Sequence, residues 1–370
     1  MKVCTITCHD VYNHGASLQA FALMKYLMKR GHDVEIIDYK PDYLSNHYNL
    51  FYISNPKWKR NLLTKCIYLT LKIPVRLPEL KRKKAFDKFK IKYLNLTSNQ
   101  YKSNDDLKDK LPYANGYLCG SDQIWNTLHK NGRDPAFYLD FVPDGKIKAS
   151  YAASFATDVI SDEFKPLLKE RIEKLDGIGI REKSGINIIE DLQIQGGVNV
   201  VDPVFLLNKC EWDELVCEEF TEKYILVYDF DNSELIQKLA MRIRKKTGFK
   251  IYSLNPNKLK YADKYFKYVG PETFVSLVKN AQFVISNSFH AAVFSIIYEK
   301  NFAIVNRKES INTRMRDLLD DLHLSDRLVN DSDKLEKVFF NVDFLECKSI
   351  LNNKIKVSKD FLKKVLVQKE

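Results

Sequence analysis

The residue best suited to acid–base chemistry is His290, which interrupts an apolar stretch in the second half of the chain. The run Phe283–Ile285 has the composition of a buried strand, and small polar residues follow it before an apolar helical stretch begins. Imidazole is the side chain that titrates near neutral pH when unperturbed, which suits a general acid or base. The pattern indicates either a catalytic histidine beyond a strand or a capped helix start with an incidental imidazole.

A second group of candidates lies in the loop Gly120–Asn126, which reads GSDQIWN. Asp122 could hold a sugar hydroxyl or act as a base, or it could simply cap a helix. Gln123 could orient a hydroxyl through its amide. Trp125 could stack on a sugar ring or belong to the core. The loop therefore favours binding of a polar ligand, with a purely structural role as the alternative.

Two further positions indicate an anionic ligand. Gly15 would let the backbone approach a ligand at a helix N-terminus, where free N–H groups suit an anion, or it is an ordinary helix-entry glycine after Asn13. Arg181 follows the predicted strand GIGI and offers a planar fork for a carboxylate or phosphate, unless it pairs with Glu182. Ser288 stands at the start of the helix that carries the candidate histidine.

Alternating strands and helices must position these residues. The segment KVCTIT predicts a strand, a helix follows up to Gly31, and DVEIIDY predicts a second strand, which together make a βαβ unit and imply a parallel sheet. The same alternation recurs in the second half of the chain. In open parallel sheets, ligands bind beyond the carboxyl ends of the strands, so the polar residues after the strands should converge.

The predicted fold class is α/β, with two Rossmann-like domains. We predict an N-terminal domain over 1–200, with a basic helical insertion at about 41–111. A C-terminal domain is predicted over 201–350, and a final amphipathic helix over 351–370.

The net charge of +11 is concentrated in one segment of the 370 residues. The segment 57–92 contains thirteen Lys and Arg residues against two acids, whereas the rest of the chain is electrically balanced. The segment is either a solvated helical face or a surface that attracts an anionic partner such as a negatively charged membrane leaflet. Nucleic acid is not expected as a partner, because no recognition motif accompanies the charge.

The sequence argues against several kinds of site and segment. The seven cysteines are scattered without zinc-ligand spacing, so neither a metal site nor a disulfide framework is expected. No window is long and apolar enough for a membrane span, and the N-terminus lacks the features of a signal peptide. A cytoplasmic location is therefore the default expectation.

Taken together, the loops resemble the polysaccharide pyruvyl transferase family. The matching segments follow one another in the family's order and extend to about residue 330: NHGASLQAFAL (13–23), GSDQIWN (120–126), YAASFA (151–156), REKSG (181–185), VVDPVFLL (200–207), SNSFHAAVFSIIY (286–298) and INTRMRDLLDDLHLSDR (311–327). The resemblance implies a glycosyltransferase-B-like pair of domains with the active site in the cleft between them. It also implies transfer of pyruvate from phosphoenolpyruvate onto two sugar hydroxyls as a cyclic ketal.

The resemblance implies roles for individual residues as well. An essential histidine of the family corresponds to His290, which we expect to be the acid or base. Donor binding is expected at cationic and helix N-terminal positions, namely Arg181, Arg314, Gly15 and Ser288. Acceptor hydroxyls are expected at Asn13, Gln123 and Trp125, with Asp122 as a second catalytic group. No cofactor or metal is implied. The expected acceptor is a bacterial surface polysaccharide or its lipid-linked precursor, which would bring the enzyme to the inner face of the membrane.

Two alternatives remain open on the sequence. The first is a nucleotide-sugar glycosyltransferase on the same fold. Such enzymes usually carry a Glu in this helix to hold the ribose of the donor, whereas here the helix that starts near His290 stays apolar until Glu299. The second is a non-catalytic glycan-binding protein. It is favoured by Ser288, which stands where well-studied members of the family carry an arginine.

Overall fold

The computed structural model describes residues 1–45, 48–53, 55–255, 257–309, 311–330, 339 and 342–367. These residues form two parallel β-sheets flanked by helices, and the predicted fold class of two Rossmann-like domains is confirmed. Within these ranges no helix combines the length and apolarity needed to cross a membrane.

The first sheet has the strand order β3-β2-β1-β4-β5-β6-β7, with neighbouring strands paired in parallel. Its strands are β1 (Lys2–Ile6), β2 (Asp33–Tyr39), β3 (Leu96–Tyr101), β4 (Gly116–Cys119), β5 (Ile147–Ala153), β6 (Gly177–Ile180) and β7 (Gly197–Asn199). The central strands are buried on both faces, which explains why they read as continuous apolar runs. The strand order reverses between β1 and β4.

The second sheet has the order β10-β9-β8-β11-β12-β13, again with parallel pairing. Its strands are β8 (Tyr224–Tyr228), β9 (Lys250–Ser253), β10 (Lys264–Tyr265), β11 (Phe283–Ser286), β12 (Asn301–Val305) and β13 (Leu328–Val329). Its strand order reverses between β8 and β11. Each sheet therefore has one switch point, where the loops at the carboxyl ends diverge and leave a crevice.

Helices cover both sheets. They are α1 (His14–Lys29), α2 (Asp42–Ser45), α3 (Leu62–Arg76), α4 (Leu80–Tyr93), α5 (Asn104–Asp109), α6 (Lys165–Ile172), α7 (Lys183–Asp191), α8 (Lys209–Asp213), α9 (Glu234–Thr247), α10 (Pro271–Asn280), α11 (Phe289–Ile297), α12 (Thr313–Asp321) and α13 (Phe344–Val365). Local chemistry sets several of their ends. For example, Ser233 caps the N-terminus of α9, and Gly248 ends it with a φ of 72°, a left-handed conformation that glycine adopts at little cost.

The two domains share one apolar core. Trp212 is fully buried, and its ring contacts Phe21 of α1 and Phe294 of α11, with ring centroids 5.9 and 4.8 Å away. Its indole N–H donates to the carbonyl oxygen of Val204 at 3.1 Å. Because α1 belongs to the first sheet and α11 to the second, this packing fixes one domain against the other.

The structure departs from the predicted boundaries in two places. The predicted insertion 41–111 contains the helices α2, α3 and α4, but its last part forms β3 and α5, and β3 is the edge strand of the first sheet. The final helix begins at Phe344 rather than at 351 and packs back onto the first domain. There the ring of its Phe361 faces the ring of Tyr151 in β5, with centroids 6.4 Å apart. Residues 368–370 of the predicted helix lie outside the described residues.

Candidate active site

A cleft of about 580 Å³ opens between the domains, where the carboxyl ends of both sheets face each other. It receives the loops after β1 and β4 from the first domain and the loops after β8, β11 and β12 from the second. Its polar lining consists of Asn13, Tyr43, Tyr52, Asp122, Gln123, His129, Lys130, Asn131, Asn287, Ser288, His290, Arg307 and Arg314. The two switch points thus build one site.

His290 lies in the first turn of α11 and lines the cleft, although its side chain is only 7% exposed. Its Nε2 lies 3.5 Å from Oδ2 of Asp202, a contact that joins the second domain to the end of the first. Its Nδ1 side packs against Gly15, where an added Cβ would overlap the imidazole ring. In this geometry Gly15 leaves room for the imidazole ring of His290, a role that differs from the predicted one of binding an anion.

Asp202 is a site residue to which the sequence gives no role. Its Oδ2 accepts from Arg181 Nη1 at 2.8 Å and lies within 3.4 Å of the Ser121 hydroxyl, while Oδ1 accepts from the N–H of Val204 at 3.0 Å. Burial alone would raise the pKa of Asp202, but His290 and Arg181 outweigh it and hold that pKa well below its ordinary value. The carboxylate therefore stays ionised and can stabilise a protonated imidazole. Its sequence signal was an Asp-Pro pair after β7.

Arg181 lies beneath the cleft rather than in it. Its side chain is 2% exposed and faces three carboxylates: Asp202, Asp122 with Oδ1 3.4 Å from Nη2, and Glu182 with Oε2 3.8 Å from Nε. Its guanidinium also lies 4.6 Å from the ring centroid of Phe289. Burial would lower the pKa of Arg181, but the three acids raise it. The guanidinium of Arg181 is therefore buried among three carboxylates and is not exposed to a donor in the cleft, contrary to the prediction.

Arg314 lines the cleft from α12 and, like Ser288, is a predicted donor residue that the structure brings to it. Its Nη1 lies 3.5 Å from Asp122 Oδ1, and Gln123, with its amide oxygen turned toward the arginine, accepts from Nη2 at 2.7 Å. Burial, together with the charge of Arg181, lowers the pKa of Arg314 to about 10. Its buried Nε has no hydrogen-bond partner. These features describe a cation that an incoming anion would stabilise.

Arg307, just beyond β12, is a second cation in the cleft and was missed on the sequence. Its Nη2 lies 3.1 Å from Glu309 and 3.6 Å from Asp231, and its guanidinium lies 4.9 Å from the ring centroid of Phe230. Its charge contributes to the lowered pKa of Arg314, so the two guanidinium groups act on the same region. The rule that sites lie after strands could have found it, because Asn306 and Arg307 directly follow the strand NFAIV.

The remaining predicted residues have mixed positions. Asn13 lines the cleft but also caps α1, where its Oδ1 accepts from the N–H groups of Gly15 at 2.9 Å and Ala16 at 3.3 Å. Ser288 begins α11 without a side-chain cap, so its hydroxyl faces the cleft uncommitted to that helix. Asp122 lines the cleft as well. Burial would raise the pKa of Asp122, but Arg181 and Arg314 hold it below its ordinary value.

Trp125 is the clearest correction. It is fully buried, its ring stacks on Tyr138 with centroids 5.5 Å apart, and its N–H donates to the carbonyl oxygen of Phe137 at 3.0 Å. The expected stacking on a sugar is therefore wrong. The turn that leads to it contains Gly120, which has a φ of 119°, and a Cβ there would overlap the carbonyl oxygen of Tyr151.

Glu182 binds the end of the segment YAASFA through hydrogen bonds. Its Oε1 accepts from the Ser154 hydroxyl at 2.8 Å and from two N–H groups, those of Phe155 at 2.9 Å and Ala156 at 3.1 Å. Burial raises the pKa of Glu182 despite these bonds. Ala156 has a φ of 59°, the left-handed region that favours glycine. Among the described residues, no three His, Cys, Asp or Glu side chains are grouped so as to hold a metal ion.

Comparison with known proteins gives a family and a fold. The family model described as polysaccharide pyruvyl transferase matches residues 13–309, most of the chain. Among curated proteins, no sequence matches the chain.

Three solved structures are similar along nearly the whole chain. MnaA of S. aureus with UDP is 11% identical, with 100% of this chain and 98% of that one covered and a TM-score of 0.52. The UDP-N-acetylglucosamine 2-epimerase of Rickettsia bellii is 13% identical, with 99% and 96% covered and a TM-score of 0.51. UGT89C1 of Arabidopsis thaliana with UDP-L-rhamnose is 11% identical, with 99% of each chain covered and a TM-score of 0.51. At such identities the likeness shows the fold alone, which is glycosyltransferase-B-like as expected.

Replacing Asp202 by Asn tests the buried ion cluster. We expect the free energy of unfolding to fall by about 3–5 kcal/mol near neutral pH, because Arg181 loses its closest carboxylate. Since the pKa of Asp202 is lowered in the fold, its contribution is present above the ordinary value of 3.8 and is lost as the pH falls. The difference in unfolding free energy between the wild type and Asp202→Asn should therefore be smaller by about 1 kcal/mol at about pH 3. Urea unfolding followed by circular dichroism measures it.

The matched control is Asp158→Asn, an acid that is 51% exposed and pairs with Arg316 on the surface. It should cost less than about 1 kcal/mol. An Asp202→Asn protein as stable as the control would contradict the cluster.

Proposed function

The chain belongs to the polysaccharide pyruvyl transferase family, and we propose that it transfers pyruvate from phosphoenolpyruvate onto two hydroxyls of one sugar as a cyclic ketal. The observation that carries the proposal is the pairing of His290 with Asp202 in a cleft that also holds Arg314 and Arg307. A histidine with a carboxylate partner, next to two arginines that line the same cleft, suits a donor that must be protonated and carries two anionic groups.

The proposed reaction begins with a proton delivered to the methylene carbon of phosphoenolpyruvate. This leaves an oxocarbenium centre at the neighbouring carbon, which the first sugar hydroxyl attacks with loss of its proton. The carbon–oxygen bond to phosphate then breaks, and the second hydroxyl closes the ring while its proton leaves with the released phosphate. The products are one ketal and one inorganic phosphate, so no oxidant or cofactor is needed.

His290 is the proposed acid. Its imidazole type suits proton transfer near neutral pH, and the ionised Asp202 beside Nε2 stabilises the protonated ring that an acid requires. Gly15 leaves room for the ring in this position, because a side chain there would overlap the imidazole. Positioning of this kind reduces the reorganisation needed during proton transfer.

The donor's carboxylate and phosphate are proposed to bind between Arg314, Arg307 and the N-terminus of α11. The unpartnered Nε of Arg314 and its lowered pKa support an anion at this place. The first N–H groups of α11 lie beside Ser288 and favour negative charge through their dipoles. In this arrangement Arg307 supplies the cation that family resemblance would place at position 288.

Asp122 is proposed to orient an acceptor hydroxyl and to accept its proton. It remains ionised between Arg181 and Arg314, lines the cleft, and has a side chain that is 17% exposed. Asn13 offers a further amide to the sugar. Gln123 acts indirectly in this proposal, because its amide oxygen is used to hold Arg314.

The acceptor is proposed to be a surface polysaccharide unit, either free or linked to a lipid at the cytoplasmic face of the membrane. The basic segment 57–92 supports docking on an anionic surface there. Not every cation in it is available: Arg82 donates to the carbonyl oxygen of Tyr12 at 3.1 Å, and Lys90 pairs with Asp10 at 2.8 Å. Exposed members such as Lys84 and Lys88 remain for the surface.

A nucleotide-sugar glycosyltransferase is the second candidate, since two of the solved structures with the same fold contain UDP or UDP-L-rhamnose. The position of Glu299 argues against it here. This acid lies beyond the end of α11 and pairs with Lys348 at 2.9 Å, so it is not placed to hold a ribose in the cleft.

His290→Gln should lower kcat by about 10²–10⁴-fold, the usual contribution of general acid–base catalysis. The amide keeps the polar character of the position but cannot deliver a proton. Activity is measured as phosphate released from phosphoenolpyruvate in the presence of acceptor. The matched control is His323→Gln, a surface histidine with a 60% exposed side chain, which should behave like the wild type. A folded His290→Gln protein with normal turnover would refute the assignment.

Arg307→Gln and Arg314→Gln should each raise KM for phosphoenolpyruvate by about ten- to a hundredfold, because a charge-assisted hydrogen bond to the donor contributes about 1.5–3 kcal/mol. Arg316→Gln is the control, since this arginine on α12 is 44% exposed and faces Asp158.

Nucleotide release from UDP- or GDP-sugars, with no phosphate release from phosphoenolpyruvate, would favour the second candidate instead.

A further inference from the structure

Helix α3 turns an uncharged face to the outside of the molecule. Leu63, Ile67, Leu71 and Val75 follow one another at intervals of four residues and are 70, 44, 64 and 69% exposed. We call these four residues the apolar row. In the helix itself only Tyr68 is buried. A surface helix of a globular protein normally shows the opposite arrangement, with its apolar stripe against the core, so the apolar row marks an interaction surface.

The basic residues of α3 lie on the face opposite the apolar row. At 3.6 residues per turn, Lys65, Lys72 and Arg76 lie on the side of the helix away from it. The helix belongs to the segment 57–92, which has thirteen cations and two acids. An apolar face with Lys and Arg on the opposite face is the pattern of helices that lie in the plane of a membrane surface.

We propose that α3 is an interfacial helix that inserts the apolar row into an anionic lipid bilayer. Charge complementarity selects this occupant, because a helix lying in the plane of the surface keeps its exposed Lys65 and Lys72 at the level of the anionic headgroups while the four apolar side chains enter the layer beneath. The proposal differs from docking by charge alone, which would leave the apolar row in water and would disappear at high salt.

The helix is also tied to the wall of the cleft. Arg76 Nη1 donates to the carbonyl oxygens of Leu50 at 2.9 Å and Tyr52 at 2.8 Å, and Tyr52 lines the cleft. Insertion of α3 would therefore bring the cleft close to the lipid surface, where a lipid-linked acceptor is held. This consequence rests on the proposed function, whereas the insertion itself does not.

The test is binding to vesicles of phosphatidylcholine with phosphatidylglycerol, measured by flotation at low and high salt. The wild type should keep part of its binding at high salt, because the apolar contribution is not screened. The double variant Leu63→Glu/Leu71→Glu should bind at least tenfold more weakly. Leu345→Glu, at a 78% exposed leucine of α13, is the matched control and should bind like the wild type.

Intrinsic fluorescence gives a second readout. Of the three tryptophans, Trp125 and Trp212 are fully buried, whereas Trp58 is half-buried and its ring contacts Tyr68 of α3, with centroids 5.7 Å apart. Quenching by brominated phospholipids should therefore report on this region, and the double variant should lose it.

Failure of the insertion is distinguishable from failure of the proposed function. His290→Gln should bind vesicles like the wild type, because vesicle binding needs neither donor nor acceptor. Equal binding by the wild type and the double variant would overturn the insertion. So would a wild-type dimer in sedimentation that the double variant converts to monomer without any vesicle binding, since a second copy of the chain would then cover the apolar row.

Discussion

The structure depends on a buried cluster of charges at the junction of the two domains. Arg181 is almost fully enclosed, and an isolated guanidinium cannot be buried without compensating carboxylates. Asp202 and Asp122 supply that compensation from the ends of different strands. Because Asp202 also faces His290 of the second domain, the same cluster that neutralises Arg181 fixes the imidazole above the first sheet. Charge balance and the alignment of the domains are thus one constraint.

The fold explains why the charges meet there. Each sheet reverses its strand order at one point, β1/β4 in the first and β8/β11 in the second. The loops that leave these points are the ones that carry Asp122 and His290, and they face each other across the cleft. The shared apolar core around Trp212 holds this orientation. A site assembled from two switch points can therefore bring His290, Asp122 and two arginines together in one cleft.

Much of this could be predicted from the sequence, because period and turn chemistry are local. The strand–helix alternation predicted two parallel sheets, and the rule that ligands bind after strands predicted the positions of His290 and Asp122. Arg314, which lies on a helix, is predicted only through the family resemblance. Side-chain direction was not predictable. Trp125 points into the core five residues after Gly120, whose positive φ marks a turn that no periodic pattern encodes.

Tertiary pairing was the other limit. Arg181 lies next to Asp202 only because their strands pair, so the sequence could not distinguish a cation free for a donor from one already neutralised. Gly15 was likewise read as an anion site, whereas its contact with His290 links residues from different domains. Arg307 could have been identified, since it follows a predicted strand like the other site residues.

The most direct measurement of the central claim is the mass of the product formed from phosphoenolpyruvate and a glycan acceptor in H₂O and in D₂O. If His290 delivers a solvent-derived proton to the methylene carbon, the acceptor should gain one pyruvate ketal, and the ketal methyl group should carry one deuterium in D₂O. A ketal without deuterium, or an acceptor that gains a sugar rather than pyruvate, would contradict the account.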